Sequence, residues 1–192
     1  MDAVLMDTSF KSWLKSIIFA HQNKLNLTLF KTGHIQIPEK PLFLAPMEDI
    51  TDQSFRHVCK DYGADVMISE FISSEGLIRD CRKSYKKMQI AEHERPFGIQ
   101  LYGHRIEAMV ESAKVAEEAN PDFIDLNFGC PAKKVANRGA GAGLLQNVPL
   151  MIEMAESIVK ATSLPVTAKT RLGWDHDNII ILDVARRLQD AG

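Results

Sequence analysis

The chain has 192 residues, 45% of them hydrophobic, and a formal net charge of −2. It is long enough to bury a sizeable core but shorter than the about 250 residues of a typical eight-stranded βα barrel, and its charge balance excludes a generally basic nucleic-acid binder. No apolar run reaches the length of a membrane span. Its three cysteines, without a CxxC pair or a histidine-rich segment, argue against a disulfide framework and a metal site and fit a reducing cytoplasm.

Between Phe10 and Ala20 the residues Phe10, Trp13, Leu14, Ile17 and Ile18 recur at helical spacing. Such a helix could lie on a membrane surface or act as a targeting peptide, but Asp2, Asp7 and Lys15 argue against a secretory segment. The plainer readings are a helix packed on the folded unit, or residues upstream of it. His34 to Pro38 reads as a short strand, and after a turn at Glu39 and Lys40 a buried strand is expected from Pro41 to Met47. Thr51 or Asp52 then caps a helix whose Phe55, Val58, Cys59 and Tyr62 share one face, which makes Cys59 a core residue. A second strand, Asp65 to Phe71, leads through Ser73, Ser74 and Glu75 into a basic run of Arg79, Arg82, Lys83, Lys86 and Lys87. Runs of this kind are ordinarily solvated surface, and beside a polynucleotide they become phosphate contacts; the sequence leaves both readings open. Cys81, inside the run, is expected to be inert.

A third strand spans Pro96 to Gly103, and the helix after it carries Ile106, Met109, Val110 and Ala113 on one face before Asn120 and Pro121 stop it. In the fourth strand Phe123, Asp125 and Asn127 fall on one side of the pleat and Ile124, Leu126 and Phe128 on the other, until Gly129 and Pro131 end the ladder. Met151, Met154, Ala155, Ile158 and Val159 mark the next helix. The fifth strand, Pro165 to Arg171, puts Lys169 and Arg171 on one side, an expensive placement inside a closed barrel unless each charge finds a partner. A last helix presents Ile181, Val184, Ala185 and Leu188. This alternation of strand and helix means right-handed βαβ units and a parallel sheet, closed or open. The absence of a Gly-x-Gly-x-x-Gly turn after the first strand removes the main support for a dinucleotide-binding open sheet.

Cys130 sits just past the end of the fourth strand, where parallel α/β folds gather their chemistry. A lone cysteine there is more often a small buried hydrophobe than a reactive group. Its sequel changes that weight, because Lys133, Lys134 and Arg138 and the glycines Gly139, Gly141 and Gly143 bring positive charge and close backbone approach to the same rim.

The run Asn127-Phe-Gly-Cys-Pro, followed in order by Lys-Lys-Val, a small-residue loop and Leu-Leu-Gln146, resembles the tRNA-dihydrouridine synthases, particularly their bacterial B-type branch. The resemblance extends from about Phe30 to the C-terminus. It implies an α/β fold, the first five units of a flavin-binding (β/α)8 TIM barrel over residues 30–192, with residues 1–29 as an amphipathic extension. It also implies roles. Cys130 is the proton donor to uracil; Pro46, Met47, Glu48, Gln100 and Lys169 hold flavin mononucleotide (FMN); Asn127, Lys133, Lys134, Arg138 and Arg171 hold the tRNA. NADPH is the implied reductant, tRNA the partner, and the cytoplasm the compartment, for a monomer without metal or membrane attachment. A thiol with an ordinary pKa of about 8.5 is mostly protonated at neutral pH, which suits a general acid. Because barrels of this kind often build their phosphate site from strands seven and eight, five units by themselves are expected to hold the flavin poorly and not to turn over. Two other readings remain open: a dihydroorotate-dehydrogenase-like flavin enzyme, which shares an Asn-x-x-Cys-Pro segment, and a noncatalytic RNA-binding remnant.

Overall fold

The computed structural model describes residues 30–192 except His34 and Glu39, so the extension expected at residues 1–29 lies outside the described residues. Strands β1 (Phe30–Thr32) and β2 (Ile35–Ile37) form an antiparallel hairpin. Ile35 and Ile37 alternate inward and pack with Val66, Ile68 and Phe123, closing the sheet on the side where its parallel strands begin.

The parallel sheet is built in chain order. Phe43 bridges Val66, β3 (Met67–Ile68) and β4 (Ile72–Ser73) both pair with β5 (Phe97–Tyr102), β5 pairs with β6 (Phe123–Phe128), and β6 pairs with β7 (Val166–Thr170). Five neighbouring parallel segments, each following its predecessor through a helical crossover, are what successive βα units produce. The crossovers are α1 (Gln53–Asp61), the short pair α2 (Ser74–Leu77) and α3 (Arg82–Lys87), α4 (Ile106–Glu118), and α5 (Lys133–Ala136) with α6 (Val148–Ala161); α7 (Ile181–Asp190) follows β7. Asp52 rather than Thr51 caps α1, accepting from the Phe55 N–H at 2.9 Å.

Ile124, Leu126 and Phe128 turn to the helices, where they meet Ile99, Leu101, Met109 and Met154 in the main core. Each such side chain stabilises the fold by about 1.5–3 kcal/mol relative to exposure. The opposite faces of β5, β6 and β7 carry Gln100, Asp125, Asn127, Thr167 and Lys169, and this polar face positions the site.

Two expectations are corrected. The strand from Pro41 to Met47 is reduced to one bridge with Phe43 48% exposed, because it pairs only toward Val66. The apolar face of α1 is likewise open: Phe55, Val58 and Tyr62 are exposed, Cys59 is half-buried, and the one buried residue of the helix is Arg56. At the other sheet edge Lys169 and Arg171 are both exposed among the described residues.

Arg56 is a buried cation. It donates to both carboxylate oxygens of Glu94, to the Thr51 carbonyl and to the Gln89 carbonyl, and its guanidinium lies 4.8 Å from the centroid of the Phe97 ring. The two side chains are 3% and 0% exposed. Removing one charge of a buried pair leaves the other uncompensated, so Glu94→Gln is expected to cost about 3 kcal/mol in urea unfolding. The exposed Lys160–Glu156 pair supplies the contrast, since Glu156→Gln should change stability by no more than about 0.5 kcal/mol. Equal midpoints for the two variants would refute a structural role for Arg56.

Candidate active site at the carboxyl end of the sheet

Four polar side chains, Gln100, Asp125, Asn127 and Thr167, lock together across β5, β6 and β7. Gln100 Nε2 donates to Asp125 Oδ2 at 2.5 Å, Asn127 Nδ2 donates to Gln100 Oε1 at 3.0 Å, and Thr167 Oγ1 donates to Asp125 Oδ1 at 2.6 Å. Gln100 and Asp125 are register partners, as are Asn127 and Lys169, so the ladder itself brings the group together. Burial pushes the Asp125 carboxyl above the usual carboxylate range, while the hydrogen bonds from Thr167 and Gln100 and the charge of Lys169 pull it down. These bonds fix which way the Gln100 amide faces and leave it one N–H and one lone pair to spend.

Asn127 connects this group to the cysteine. Its Oδ1 accepts from the Gly129 N–H at 3.1 Å and the Cys130 N–H at 2.9 Å, so the side chain of the strand's last interior residue clamps the turn that presents the thiol. Cys130 is half-buried. Its carbonyl accepts from the Ala142 N–H at 3.0 Å, which brings the glycine loop against it. Gly141 has φ +55°, and a Cβ there would lie 2.8 Å from the Cys130 carbonyl oxygen; one on Gly143 would strike the Ala136 carbonyl. Both glycines are buried, and they allow the loop to close on Cys130 rather than opening backbone to solvent. Lys133, Lys134 and Arg138 stand exposed around the same loop, while Val135 and Ala136 anchor α5 inward.

The corner after the first strand is also tied down. Thr51 Oγ1 donates to the Met47 carbonyl and accepts from the Met47 N–H, both at 3.0 Å, and Arg56 holds the Thr51 carbonyl in turn. Pro46, Met47 and Glu48 are half-buried there. Lys87 reaches back from α3 to Glu48 Oε1 at 2.5 Å and lies 3.7 Å from Glu70 Oε1. Lys87 is therefore an internal strut, and Arg79 pairs with Glu75 at 3.0 Å, whereas Arg82, Lys83 and Lys86 remain exposed. The Glu48, Asp49 and Glu70 carboxylates lie within 4.8 Å of one another beside that lysine.

The second strand holds a feature with no periodic signature. Met67 pairs with Phe97 but Ile72 with Leu101, so five steps on one strand match four on the other. Ser69 makes the adjustment: its Oγ accepts the Gln100 N–H at 2.9 Å and donates to the Glu70 carbonyl at 2.8 Å.

A comparison with protein families matches residues 43–192 to the dihydrouridine synthase model. The chain belongs to the dihydrouridine synthase family. It is 40% identical over 151 residues to tRNA-dihydrouridine synthase B of Pseudomonas syringae pv. tomato, covering 79% of this chain and 45% of that protein. With tRNA-dihydrouridine synthase B of Pseudomonas aeruginosa the identity is 36% over 166 residues, or 86% of this chain and 50% of the relative, and with that of Pasteurella multocida it is 37% over 164 residues, 84% and 48%. The chain thus spans about half the length of these curated relatives. The family match takes in every candidate site residue from Pro46 to Arg171 and excludes the β1–β2 hairpin. Among the described residues no helix is long and apolar enough to cross a membrane.

Asp125, Thr167, Ser69 and Thr51 carry the site's internal bonds, yet none is among the site residues expected from sequence. Asp125 alone had a legible signal, as a carboxylate on the polar face of a buried strand. Cys81 departs from expectation as well. It is exposed at the start of α3, and hydrogen bonds from the Lys83 and Ser84 backbone hold its thiol below the ordinary value, whereas burial pushes Cys59 up. At neutral pH, iodoacetamide is expected to label Cys81 before Cys59, as read by peptide mass spectrometry; the reverse order would contradict these opposite shifts.

Proposed function

We propose that this chain is the amino-terminal, cysteine-bearing part of an FMN-dependent enzyme that reduces uridines of tRNA to 5,6-dihydrouridine with NADPH. The observation that carries the proposal is Cys130, presented by Asn127 at the end of β6 beside the Gln100–Asp125 pair. The donor set fits a flavin ring edge. Gln100 keeps one N–H and one lone pair, Lys169 brings a cation, and Glu48 Oε2 is buried without a hydrogen-bond partner, an acceptor suited to an imide N–H. Pro46, Met47 and Glu48 would hold the ring from the first strand's corner, and Gln100 and Lys169 from the interior face. When bound and reduced by NADPH, FMN supplies the hydride that enters C6 of uracil.

In this reading the chain's own residues do the rest. Cys130 Sγ gives its proton to C5, the carbon that gains electron density as C6 is reduced, and its thiolate is then reprotonated from solvent, which a half-buried thiol permits. Asn127 retains one Nδ2–H to aim at the uracil edge, its Oδ1 being spent on the cysteine turn. The target base must be turned out of the RNA stack to reach a group at this depth, and exposed Lys133, Lys134, Arg138 and Arg171 offer phosphate partners at the rim. The proposed barrel would be completed by further βα units beyond those described.

In cells whose only dihydrouridine synthase gene is the one encoding this chain, Cys130→Ala should lower tRNA dihydrouridine at least about a hundredfold, the scale of a lost general acid, while flavin content and tRNA affinity stay near wild type. Unchanged dihydrouridine by nucleoside mass spectrometry would refute the acid role. Replacing Lys133, Lys134 and Arg138 together by alanine should weaken tRNA binding and reduce the slope of log affinity against log salt by about two to three. An unchanged slope would return these residues to ordinary solvated surface.

A further inference from the structure

The segment after β7 is ordered as a small hairpin. Gly173 and Ile179 form an antiparallel bridge, and the Ile180 N–H bonds the Leu172 carbonyl at 2.9 Å. Asp175 Oδ1 accepts from the Asp177 N–H at 3.1 Å and from Asn178 Nδ2 at 2.6 Å, so the loop's first acid is turned into its own backbone. What the hairpin presents outward is different: Trp174 is 40% exposed and His176 is exposed. With Lys169 and Arg171 they line a cavity of about 590 Å³, within the roughly 300–1,000 Å³ range of small-ligand pockets. The cavity adjoins the cysteine turn, because a Cβ on Gly129 would lie 3.4 Å from Arg171 Cγ.

An aromatic face, a guanidinium and an imidazole over one cavity match a ligand that carries both a flat base and an anion. We propose that the hairpin 172–180 with Arg171 is a subsite for an unpaired nucleotide next to the target uridine in the RNA strand, with its base stacked on Trp174 and its linking phosphate held by Arg171 and His176. The proposal rests on the tRNA reading above and deepens it. A uridine turned out at Cys130 leaves its neighbour one phosphate away, on the side where Arg171 flanks the turn. Stacking on an aromatic side chain tolerates any base, so the subsite would hold the strand without reading its sequence. Among the described residues that line the cavity, Asp175 is the one acid, and its Oδ1 is engaged within the loop.

In a protein in which every tryptophan but Trp174 is replaced by Phe, Trp13 among them, the fluorescence reports on Trp174. Titration with an RNA hairpin bearing a uridine-rich loop should quench it, and Trp174→Ala should weaken that RNA by roughly tenfold to a hundredfold, the worth of one stacked base. Trp174→Phe should retain most of the affinity. Scanning the loop with single abasic positions should find one that weakens the wild type but leaves Trp174→Ala unchanged. Equal affinity of wild type and Trp174→Ala, with RNA binding still weakened by the Lys133, Lys134 and Arg138 replacement, would overturn the subsite alone. Trp174 shielded from acrylamide without RNA would overturn it too, since polypeptide would then cover the face. No RNA binding by the wild-type protein would overturn the tRNA reading along with it. Because Trp174 is half exposed, an unchanged melting curve separates these results from misfolding.

Discussion

A buried carboxylate that accepts from both neighbouring strands is the constraint on which the carboxyl end of this sheet depends. Asp125 takes one hydrogen bond from Gln100 and one from Thr167, each on its own oxygen, and Lys169 adds a compensating charge. A carboxylate left without these partners at that depth would cost more than the strand pairing returns. With them, it determines the face of the Gln100 amide, which determines where Asn127 donates, which leaves Asn127 Oδ1 free to hold the turn of Cys130. The order in a half-buried loop is thus inherited from a fully buried strand.

Much of this was legible in the sequence because strand parity is a strong signal. Alternation in the fourth strand separated Asp125 and Asn127 from Ile124, Leu126 and Phe128, and the structure keeps that separation, apolar side to the helices and polar side to the interior. The run around Cys130 carried the family, and the family comparison bears it out. What the sequence did not disclose are bonds between residues far apart in the chain. Thr167 lies 42 residues from Asp125, and the Ser69 hydroxyl replaces a carbonyl in a ladder to Gln100, 31 residues away. No local period records such a partnership.

The misreadings share one physical cause. Periodicity says which residues want burial, and only the neighbours decide whether burial is supplied. At the two ends of the sheet, where among the described residues a strand pairs on one side alone, Phe43, Phe55 and Val58 at one edge and Ala185 at the other stay exposed in spite of correct patterning. In the middle, where α4 and α6 flank β5 and β6, the apolar expectations for Met109, Ala113, Met151 and Met154 hold.

The extra residue in the second strand has a consequence of phase. Side chains of a strand alternate between faces, so a single added position exchanges the two sides from there onward. Before the bulge Ile68 faces the interior hairpin cluster; after it Ile72 faces the helical core, although the two are four apart and would otherwise share a side. The bulge therefore works as a parity switch. It lets Ile68 and Ile72, which share parity, serve opposite faces, with the Glu70 carboxylate delivered between them to the lysine strut.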